Sequence, residues 1–363
     1  MSNSTVQLTF NEKIDASSIE LRNFTADNSL EFIFFQVDEA ERIVTLTTST
    51  DLVQNTLYLI TAENITDCTG NLIQSNGNTA ELTIAAEANQ LDIIVNEILF
   101  NPMTGGERFV EFYNNSNKYI NLKGWKIAGL TNSKMITEKD LFIHPAKYFV
   151  ITTDGNKIKS AYPKANETTF IEIGSMPSLP SDEGAVFIYN ISDTEIDKFE
   201  YSEEYHSNLL EDTNGVSLER ILFSGNSNDP SNWFSASSTD NFATPGYDNS
   251  QAFVPENQVG TVTIDPPTFA PDIAGASNFT LLNYSFDEPG NTLNIKIVDA
   301  QGKEIKQLIE NAIVGGEGFF MWDGTTNSGS KARVGYYMII MEVISRNGHI
   351  NYIRKKIAIG SRF

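Results

Sequence analysis

Short stretches of alternating apolar and polar residues recur along the whole chain. The first, Thr5–Phe10, alternates with a period of two, which predicts a strand with one buried face. Turn-forming residues such as Asp67–Asn71 separate these stretches, and helical spacing is confined to one short turn predicted at 155–162. The pattern therefore predicts an all-β protein with little helix. Further strands are predicted at Leu30–Val37, Ile43–Thr48, Tyr58–Ala62, Thr79–Ala85, Tyr148–Thr152, Ala185–Tyr189, Phe279–Phe286, Leu293–Asp299 and Gly335–Ile344.

The length of the chain predicts more than one domain. Its 363 residues exceed the roughly 100 residues of a single β-sandwich, so two to four domains are expected. With 40% hydrophobic and 20% charged residues, the composition is that of folded domains, each able to bury a core.

Six separated motifs stand in the middle of the chain. They are Ile93–Pro102, Arg108–Asn115, Asn121–Ile127, Gly215–Arg220, Asn232–Trp233 and Ala243–Asn249. In this order they resemble a lamin-tail domain. That resemblance implies an immunoglobulin-like β-sandwich, a class that usually displays or binds and rarely catalyses.

Three segments characterise the N-terminal region: Val6–Asp15, Tyr58–Ala62 and Ile65–Asn71. They resemble the immunoglobulin-like modules of S-layer and other bacterial surface proteins. Such modules have a strand before Val6, for which the sequence leaves no room, and an unpaired sheet edge would remain. We therefore expect that the chain is part of a longer protein or that a neighbouring segment fills the gap.

Two motifs characterise the C-terminal region: Ile297–Ile305, and Phe320–Thr325 followed by Gly335–Tyr337. They resemble the immunoglobulin-like domain of flagellar hook-cap proteins. In Bacteroidetes-type bacteria such a domain recurs at the C-terminal end of surface and secreted proteins, so the resemblance implies that it follows or acts as the sorting domain of the type IX secretion route. The resemblance departs at Phe269–Gly275, where relatives carry a Gly/Asp-rich turn, so no calcium site is carried over.

Together these observations predict three consecutive immunoglobulin-like β-sandwich domains. The predicted bounds are 1–88 for a bacterial Ig-like domain truncated at its N-terminus, 89–250 for the lamin-tail-like domain and 264–363 for the hook-cap-like domain. Residues 251–263, which include Pro255, are predicted to be a linker of limited flexibility.

The charge of the chain is negative and unevenly distributed. The formal net charge is −22, and residues 1–88 hold 3 basic and 13 acidic groups, whereas residues 258–363 hold 10 of each. An acidic surface repels a phosphate backbone, so nucleic acid is not an expected partner. The acidity is interpreted as a contribution to solubility.

The sequence predicts no membrane span and no intrachain disulfide. No window approaches 18 consecutive apolar residues, and Cys68 is the single cysteine. The first residues resemble no signal peptide, so the chain is expected either to stay inside the cell or to be the later part of a precursor.

No motif predicts a catalytic, cofactor or metal site. The three histidines, His144, His206 and His349, lie in different contexts without ligand spacing. His144 is predicted to occupy a structural turn. His206 lies in an acidic run that would raise its pKa, and a solvated loop is predicted there.

Two glutamates form the one constellation that could carry chemistry. Glu97 and Glu111 are predicted on adjacent strands, where paired carboxylates could serve acid–base catalysis or hold calcium. In lamin-tail relatives such glutamates belong to the signature of the fold. We therefore favour a structural role, with hydrogen bonds to the backbone or to a basic group such as Arg108 or Arg220.

The tryptophans are predicted to be core residues. Trp125, Trp233 and Trp322 could stack on sugar rings, but each lies inside one of the resemblance motifs. A buried tryptophan commonly anchors a sandwich of this class.

These features predict a non-catalytic segment for display, adhesion or binding, located outside the cell or on the outer surface of a Gram-negative bacterium. The C-terminal domain is expected to support export or attachment, with the secretion machinery and a surface glycan or protein ligand as candidate partners. The alternative is the accessory C-terminal region of a larger extracellular hydrolase or nuclease, because bacterial lamin-tail domains occur beside such enzymes.

Overall fold

The computed structural model describes residues 3–252, 261–271 and 278–360, and it confirms the all-β prediction. Strands account for 44% of the chain and helix for 7%. The α-helix of the described residues, α1, spans Gly155–Ala161, where the sequence predicts a helical turn. The Asp154 carboxylate caps its N-terminus by accepting a hydrogen bond from the Lys157 amide. One-turn 3₁₀-helices span Ala16–Ser18, Leu21–Asn23, Glu167–Thr169, Glu203–Tyr205, Pro230–Asn232 and Ser238–Asp240.

The strands are numbered in chain order. The first thirteen are β1 Thr5–Thr9, β2 Phe24–Ala26, β3 Phe32–Val37, β4 Ile43–Thr48, β5 Tyr58–Ala62, β6 Thr79–Leu82, β7 Ile93–Leu99, β8 Phe109–Asn114, β9 Ile120–Asn121, β10 Lys126–Ala128, β11 Ser133–Met135, β12 Phe142–Ile143 and β13 Tyr148–Thr152. The others are β14 Phe170–Glu172, β15 Glu183–Tyr189, β16 Glu195–Ser202, β17 Leu218–Arg220, β18 Trp233–Ser235, β19 Thr261–Asp265, β20 Thr268–Phe269, β21 Thr280–Ser285, β22 Asn291–Asp299, β23 Glu304–Val314, β24 Glu317–Trp322, β25 Gly335–Ile344 and β26 Ile350–Ile359.

The chain divides into two compact units. The first contains the residues up to Asn89 together with Ser116–Leu122 and Asp140–Pro145, and the second contains the rest. The second unit therefore includes most of the predicted middle domain and all the described residues of the predicted C-terminal domain. Of the predicted linker, residues 253–260 lie outside the described residues. The predicted domain boundaries themselves stay predictions.

Two three-stranded sheets form most of the first unit. Their strand orders are β1-β4-β3 and β2-β5-β6. In β4 the side chains alternate as the sequence predicts, with Val44 and Leu46 fully buried between outward-facing threonines. The sequence analysis does not predict the strand β2, because three residues are too few to show a periodicity.

The middle of the chain forms a six-stranded and a four-stranded sheet in the second unit. The orders are β14-β13-β8-β7-β17-β18 and β11-β10-β15-β16. Every residue of β7 is buried, because this central strand is covered on both faces. On one face α1 packs through Ile158 in a cluster with Leu99, Phe109 and Ala243. The Ala243–Gln251 segment, which begins in this cluster, covers the same sheet and lies next to the candidate site.

The C-terminal region forms a second sandwich of the same unit. A three-stranded sheet, β19-β21-β24, accompanies a five-stranded sheet, β20-β26-β25-β22-β23. The core between them includes Trp322, Leu282 and Ile295, each fully buried. The β25–β26 hairpin pairs without a break from Gly335↔Ile359 to Ile344↔Ile350, which gives this sandwich its longest ladder.

Polar contacts join the two sandwiches of the second unit. Arg346, in the turn after β25, donates to the carbonyls of Pro230 and Trp233 at 2.9 and 2.8 Å and lies 5.2 Å from the Phe234 ring centroid. Gln251 donates to the Ser235 carbonyl at 3.0 Å and accepts the Gly290 amide at 2.9 Å. The two regions are therefore docked through main-chain groups.

Replacing Arg346 with alanine is expected to loosen this docking. Hydrogen bonds to a charged group contribute about 1.5–3 kcal/mol when well formed, and partial solvent exposure reduces the loss to about 1–2 kcal/mol. Hydrogen exchange should then increase at residues 231–234 and 344–348. Arg333, exposed in the same sandwich, is the matched control. Unchanged exchange in Arg346→Ala beside Arg333→Ala would contradict the assignment.

No helix of the described residues is long and apolar enough to cross a membrane.

Candidate functional site

Three glutamates form a row across adjacent strands of the six-stranded sheet. Glu97 in β7 lies opposite Glu111 in β8 on one side and opposite Glu219 in β17 on the other. Residues directly opposite each other in neighbouring strands project from the same face of the sheet. A β-bulge at Asn96 shifts the register of β7 next to Glu97. The predicted pairing of Glu97 and Glu111 is confirmed, and Glu219 extends it to three.

The row is fully buried and is capped by main-chain amides. Glu97, Glu111 and Glu219 each have 0% exposure. The Thr244 amide donates to Glu97 Oε1 at 2.9 Å and the Gly246 amide to Glu111 Oε2 at 2.6 Å, while the Gln251 amide donates to Glu219 Oε2 at 2.8 Å. The glutamates therefore bind successive main-chain donors of the 243–251 segment and hold it against the sheet.

Side-chain donors supply the remaining contacts of the row. Asn96 Nδ2 donates to Glu111 Oε1 at 2.7 Å, and Ser217 Oγ donates to Glu97 Oε1. Thr244 Oγ1 and Ser250 Oγ each donate to Glu219 at 2.7 Å. Because every carboxyl has hydrogen-bond partners, burial does not leave these groups unsatisfied.

Burial shifts the protonation of the three carboxyls. Removal from water raises the pKa of Glu97, and the neighbouring Glu219 raises it further. Burial, followed by the charge of Glu97, raises the pKa of Glu111 well above its usual range, and burial also raises the pKa of Glu219. The hydrogen bonds act in the opposite direction but are the smaller effect. The row therefore binds protons more tightly than free glutamates do.

The two predicted basic partners of the glutamates lie elsewhere. The Arg220 guanidinium lies 3.5 Å from Asp197, and its Nε donates to the Val95 carbonyl at 2.7 Å. Arg108 Nε donates to the Phe100 carbonyl at 2.8 Å. The sequence predicts that Glu97 and Glu111 bond either to the backbone or to a basic group. The structure shows the bonds to the backbone.

The buried pair of Arg220 and Asp197 forms a second polar network in this sandwich. Asp197 accepts the Val95 amide at 2.8 Å and the Ser227 hydroxyl at 2.7 Å, and the guanidinium lies 5.2 Å from the Trp233 ring centroid. Burial raises the pKa of Asp197 and lowers the pKa of Arg220 to about 10. The network joins β7, β16 and β17.

The prediction for His206 is wrong. Instead of lying in a solvated loop, the imidazole is 95% buried, 5.6 Å from the Phe100 ring centroid, with Nδ1 2.9 Å from Ser235 Oγ. Burial lowers the pKa of His206 to about 4, whereas the acidic run predicted a raised pKa. The reason is that the nearby carboxylates point to solvent while the ring turns into the core.

A proton NMR titration should show the burial of His206. Its Hε1 resonance is expected to move with a midpoint near pH 4, because protonation would place a charge where Nε2 has no hydrogen-bond partner within the described structure. The His206→Gln variant provides the assignment. A midpoint at or above pH 6.5 would be evidence against the buried position.

The other sequence candidates lie apart from the row. His144 Nε2 contacts Glu81 Oε2 at 3.0 Å at the end of β12, and His349 is exposed. Trp125, Trp233 and Trp322 are at most 4% exposed, which confirms them as core residues. Among the described residues, no group of three His, Cys, Asp or Glu side chains is arranged to hold a metal ion.

Glu219, Asn96 and Asn249 are the site residues that the sequence analysis missed. Asn249 Nδ2 donates to the carbonyls of Asn96 and Arg220 at 3.1 and 2.9 Å and so anchors the capping segment. The available signal was an acidic residue inside an apolar strand. Glu219 in Gly215–Arg220 shares this feature with Glu97 and Glu111.

Three protein-family models match the chain. Residues 86–203 match the Lamin Tail Domain, residues 271–347 the FlgD Ig-like domain and residues 1–84 the bacterial Ig-like domain. The predicted families are confirmed. All three matches lie in the predicted order, so the chain is a series of immunoglobulin-like domains. No curated protein matches the chain significantly.

Solved structures give remote similarities. A DUF4876 family protein from Bacteroides thetaiotaomicron is 14% identical, with a TM-score of 0.27, over 60% of this chain and 86% of that one. Dimeric latent PorU from Porphyromonas gingivalis is 12% identical, with a TM-score of 0.22, over 99% of this chain and 30% of that one. PorZ is described as a bacterial surface component of the type IX secretion system of P. gingivalis. It is 11% identical, with a TM-score of 0.23, over 91% of this chain and 39% of that one. At TM-scores below 0.5 nothing about function follows.

Proposed function

We propose that this chain is a non-catalytic display segment of a secreted or cell-surface protein, with a C-terminal domain that supports export or attachment by a type IX-like route. The observation that carries the proposal is that the three glutamates of the row serve as buried caps for main-chain amides. Its carboxyls accept hydrogen bonds from Thr244, Gly246 and Gln251 in a site with no exposed glutamate surface. A catalytic carboxyl must contact its substrate, whereas a capping carboxyl must be shielded from water.

The docking of the two sandwiches supports a role in display. The contacts of Arg346 and Gln251 connect the lamin-tail region to the C-terminal region through main-chain carbonyls and amides. The C-terminal domain is the one proposed to support export or attachment. A stiff connection from it to the displayed domain would keep the displayed surface at a fixed orientation. The proposal of a surface location rests on the order of the three Ig-like families.

The structural role of the row is tested with Glu111→Gln. The carboxyl of Glu111 accepts hydrogen bonds on both oxygens, and an amide retains only one acceptor. The expected loss is about 1–3 kcal/mol of unfolding free energy with the fold retained. Urea unfolding followed by tryptophan fluorescence measures it, and Glu167→Gln, on a partly exposed side chain, is the control. Unchanged stability would count against the capping role.

The export role is tested with a reporter joined to the N-terminus of the full chain. After delivery to the periplasm of a type IX-competent host, the reporter should become accessible to protease added outside the cell. The same fusion without residues 264–363, and the same host without a working type IX system, should both retain it. Retention of the full fusion in the competent host would refute the export role without affecting the display role.

A further inference from the structure

A cavity of about 610 Å³ lies in the second unit, where β8 begins and β13 ends. Glu107 and Arg108 come directly before β8, and Thr153 directly follows β13. The rest of the lining is residues 174–181, called here the serine loop. Sites for small molecules in proteins have volumes of about 300–1,000 Å³. The cavity is therefore large enough to hold a small organic ligand.

The serine loop is held in place by its contacts with the rest of the sandwich. The Leu179 side chain is buried at 4% exposure. The Ser178 amide donates to Asn132 Oδ1 at 2.8 Å, and the Tyr201 hydroxyl donates to the Pro180 carbonyl at 2.9 Å. Because a buried side chain and hydrogen bonds to two other elements fix the loop, the cavity is preformed.

Arg108 supplies the positive charge of the cavity. Its side chain is half-buried, and its Nε donates to the Phe100 carbonyl at 2.8 Å, which fixes the plane of the guanidinium. The two terminal nitrogens have no acceptor, and Arg108 has no ion-pair partner, among the described residues. A guanidinium presents parallel N–H donors that match the two oxygens of a carboxylate. Arg108 is therefore arranged to bind a carboxylate from outside the chain.

The other polar groups of the lining are suited to hydroxyl groups. Glu107 accepts a hydrogen bond from the Arg108 amide at 3.2 Å and forms an ion pair with Lys157 at 3.4 Å. Because Lys157 balances its charge, the Glu107 carboxylate is suited to accept from a neutral hydroxyl. Four side chains of the lining carry hydroxyls that both donate and accept: Thr153, Ser175, Ser178 and Ser181. This set of groups fits a ligand that has a carboxylate and several hydroxyls.

We propose that this cavity binds a carboxylated sugar, such as a uronic acid residue of an acidic glycan. The Arg108 guanidinium binds the carboxylate through two parallel hydrogen bonds, and the ring hydroxyls bind Glu107 and the serine loop. A simple anion forms only the first kind of contact and a neutral sugar only the second. The site does not rest on the export or display role, because sugar binding is a property of the chain in solution.

The test uses the complete chain and three probes in ligand-observed saturation-transfer NMR: methyl β-glucuronide, methyl β-glucoside and acetate. We expect a Kd of about 1 mM for the glucuronide. The glucoside lacks the carboxylate and acetate lacks the hydroxyls, so each should bind at least about tenfold more weakly. The proposal is overturned if the glucuronide shows no saturable binding up to about 50 mM. Equal affinity for the glucoside or for acetate would also overturn it.

Arg108→Lys locates the carboxylate contact on the protein. Lysine keeps the positive charge but loses the fork, so the affinity for the glucuronide should fall at least about tenfold. Arg333→Lys, on an exposed side chain of the C-terminal sandwich, is the matched control and should not change it. Thermal unfolding of Arg108→Lys checks that the fold is retained. Unchanged affinity in the folded variant refutes the proposed contact.

A second variant tests the hydroxyl contacts without touching Arg108. Ser178 and Ser181 are exposed, so Ser178→Ala with Ser181→Ala should leave the fold intact. We expect the affinity for the glucuronide to fall about threefold to tenfold, since each lost hydrogen bond contributes about 0.5–1.5 kcal/mol. Ser192→Ala, also on an exposed side chain but outside the cavity, is the control. Equal affinities of the double variant and this control would be evidence that the ligand does not lie against the serine loop, contrary to the proposal.

Discussion

Replacing Arg220 with alanine is expected to cost about 3–5 kcal/mol of unfolding free energy, the largest effect of any single substitution considered for this chain. The guanidinium is 0% exposed and the Asp197 side chain 3% exposed, so removal of the cation leaves a carboxylate without a counterion in the core. The Val95 and Gly225 carbonyls also lose their donors, which lie at 2.7 and 3.0 Å. Urea unfolding followed by fluorescence of Trp233, which packs against Arg220, measures the loss.

A double substitution separates the charge from the packing. Arg220→Met with Asp197→Leu removes both charges, and it should be less destabilising than the sum of the two single substitutions. Full recovery is not expected, because the Val95 amide and carbonyl stay unpaired. Lys198→Ala is the control, since its ion pair with Glu200 lies at the surface and should contribute about 0–1 kcal/mol. A loss below 1 kcal/mol for Arg220→Ala would contradict the proposed role of the pair.

The second large effect is a loss of stability at increasing pH. The pKa of Glu97, Glu111 and Glu219 is raised in the folded chain, so the folded state binds more protons than the unfolded state above pH 4.5. The stability that these groups contribute is complete below their unfolded pKa and is lost as the pH rises through their folded pKa. For each additional proton that the folded state binds relative to the unfolded state, the unfolding free energy falls by about 1.4 kcal/mol per pH unit.

Other groups of the second unit do not reverse this sign. The lowered pKa of His206 acts in the opposite direction up to its unfolded pKa near 6.5, but it is one group against three carboxyls. Burial raises the pKa of Tyr148, Tyr162 and Tyr247, so these phenols stay neutral through the same range. Asp248 accepts a hydrogen bond from Tyr148 at 3.0 Å and carries a negative charge, which further opposes ionisation of Tyr148. Exposed aspartates with a lowered pKa, such as Asp212 and Asp229, lose their contribution only at acidic pH.

The measurement is the urea midpoint of the second unit between pH 5 and 9, at constant ionic strength. We expect the midpoint to decrease with pH in the unmodified chain, most steeply above the unfolded pKa of His206 near 6.5. Glu219→Gln removes one of the titrating groups and should reduce the slope, although the variant is less stable at pH 5. A midpoint that is flat or increases with pH would show that the carboxyls ionise normally in the folded state.

Alternation was sufficient to predict β1, β3, β4, β5 and β6 in the N-terminal unit, whereas the three-residue β2 was missed. Val44 and Leu46 alternate with threonines in β4, and this pattern exists because that strand has one buried face. In β7 the same rule fails, since both faces are buried and the seven residues show no alternation of apolar and polar side chains. There the motif around Asn96 and Glu97 identified the strand.

The candidate site was only half predictable. Glu97 and Glu111 follow from two neighbouring strands in one hairpin, whereas Glu219 enters the row from more than 100 residues later along the chain. No local pattern encodes the register between β7 and β17. The same limit explains the error at His206, since a local acidic composition does not specify which way a ring turns.

By itself the sequence determined the strand-rich composition, the three families and the order in which they follow one another, because these depend on local spacing and on short motifs. Only the tertiary structure decided that three glutamates share one buried surface under the 243–251 segment and that Arg220 pairs with Asp197. Burial and pairing across a sheet depend on residues that are distant in the chain, and the pKa of a carboxyl follows from them.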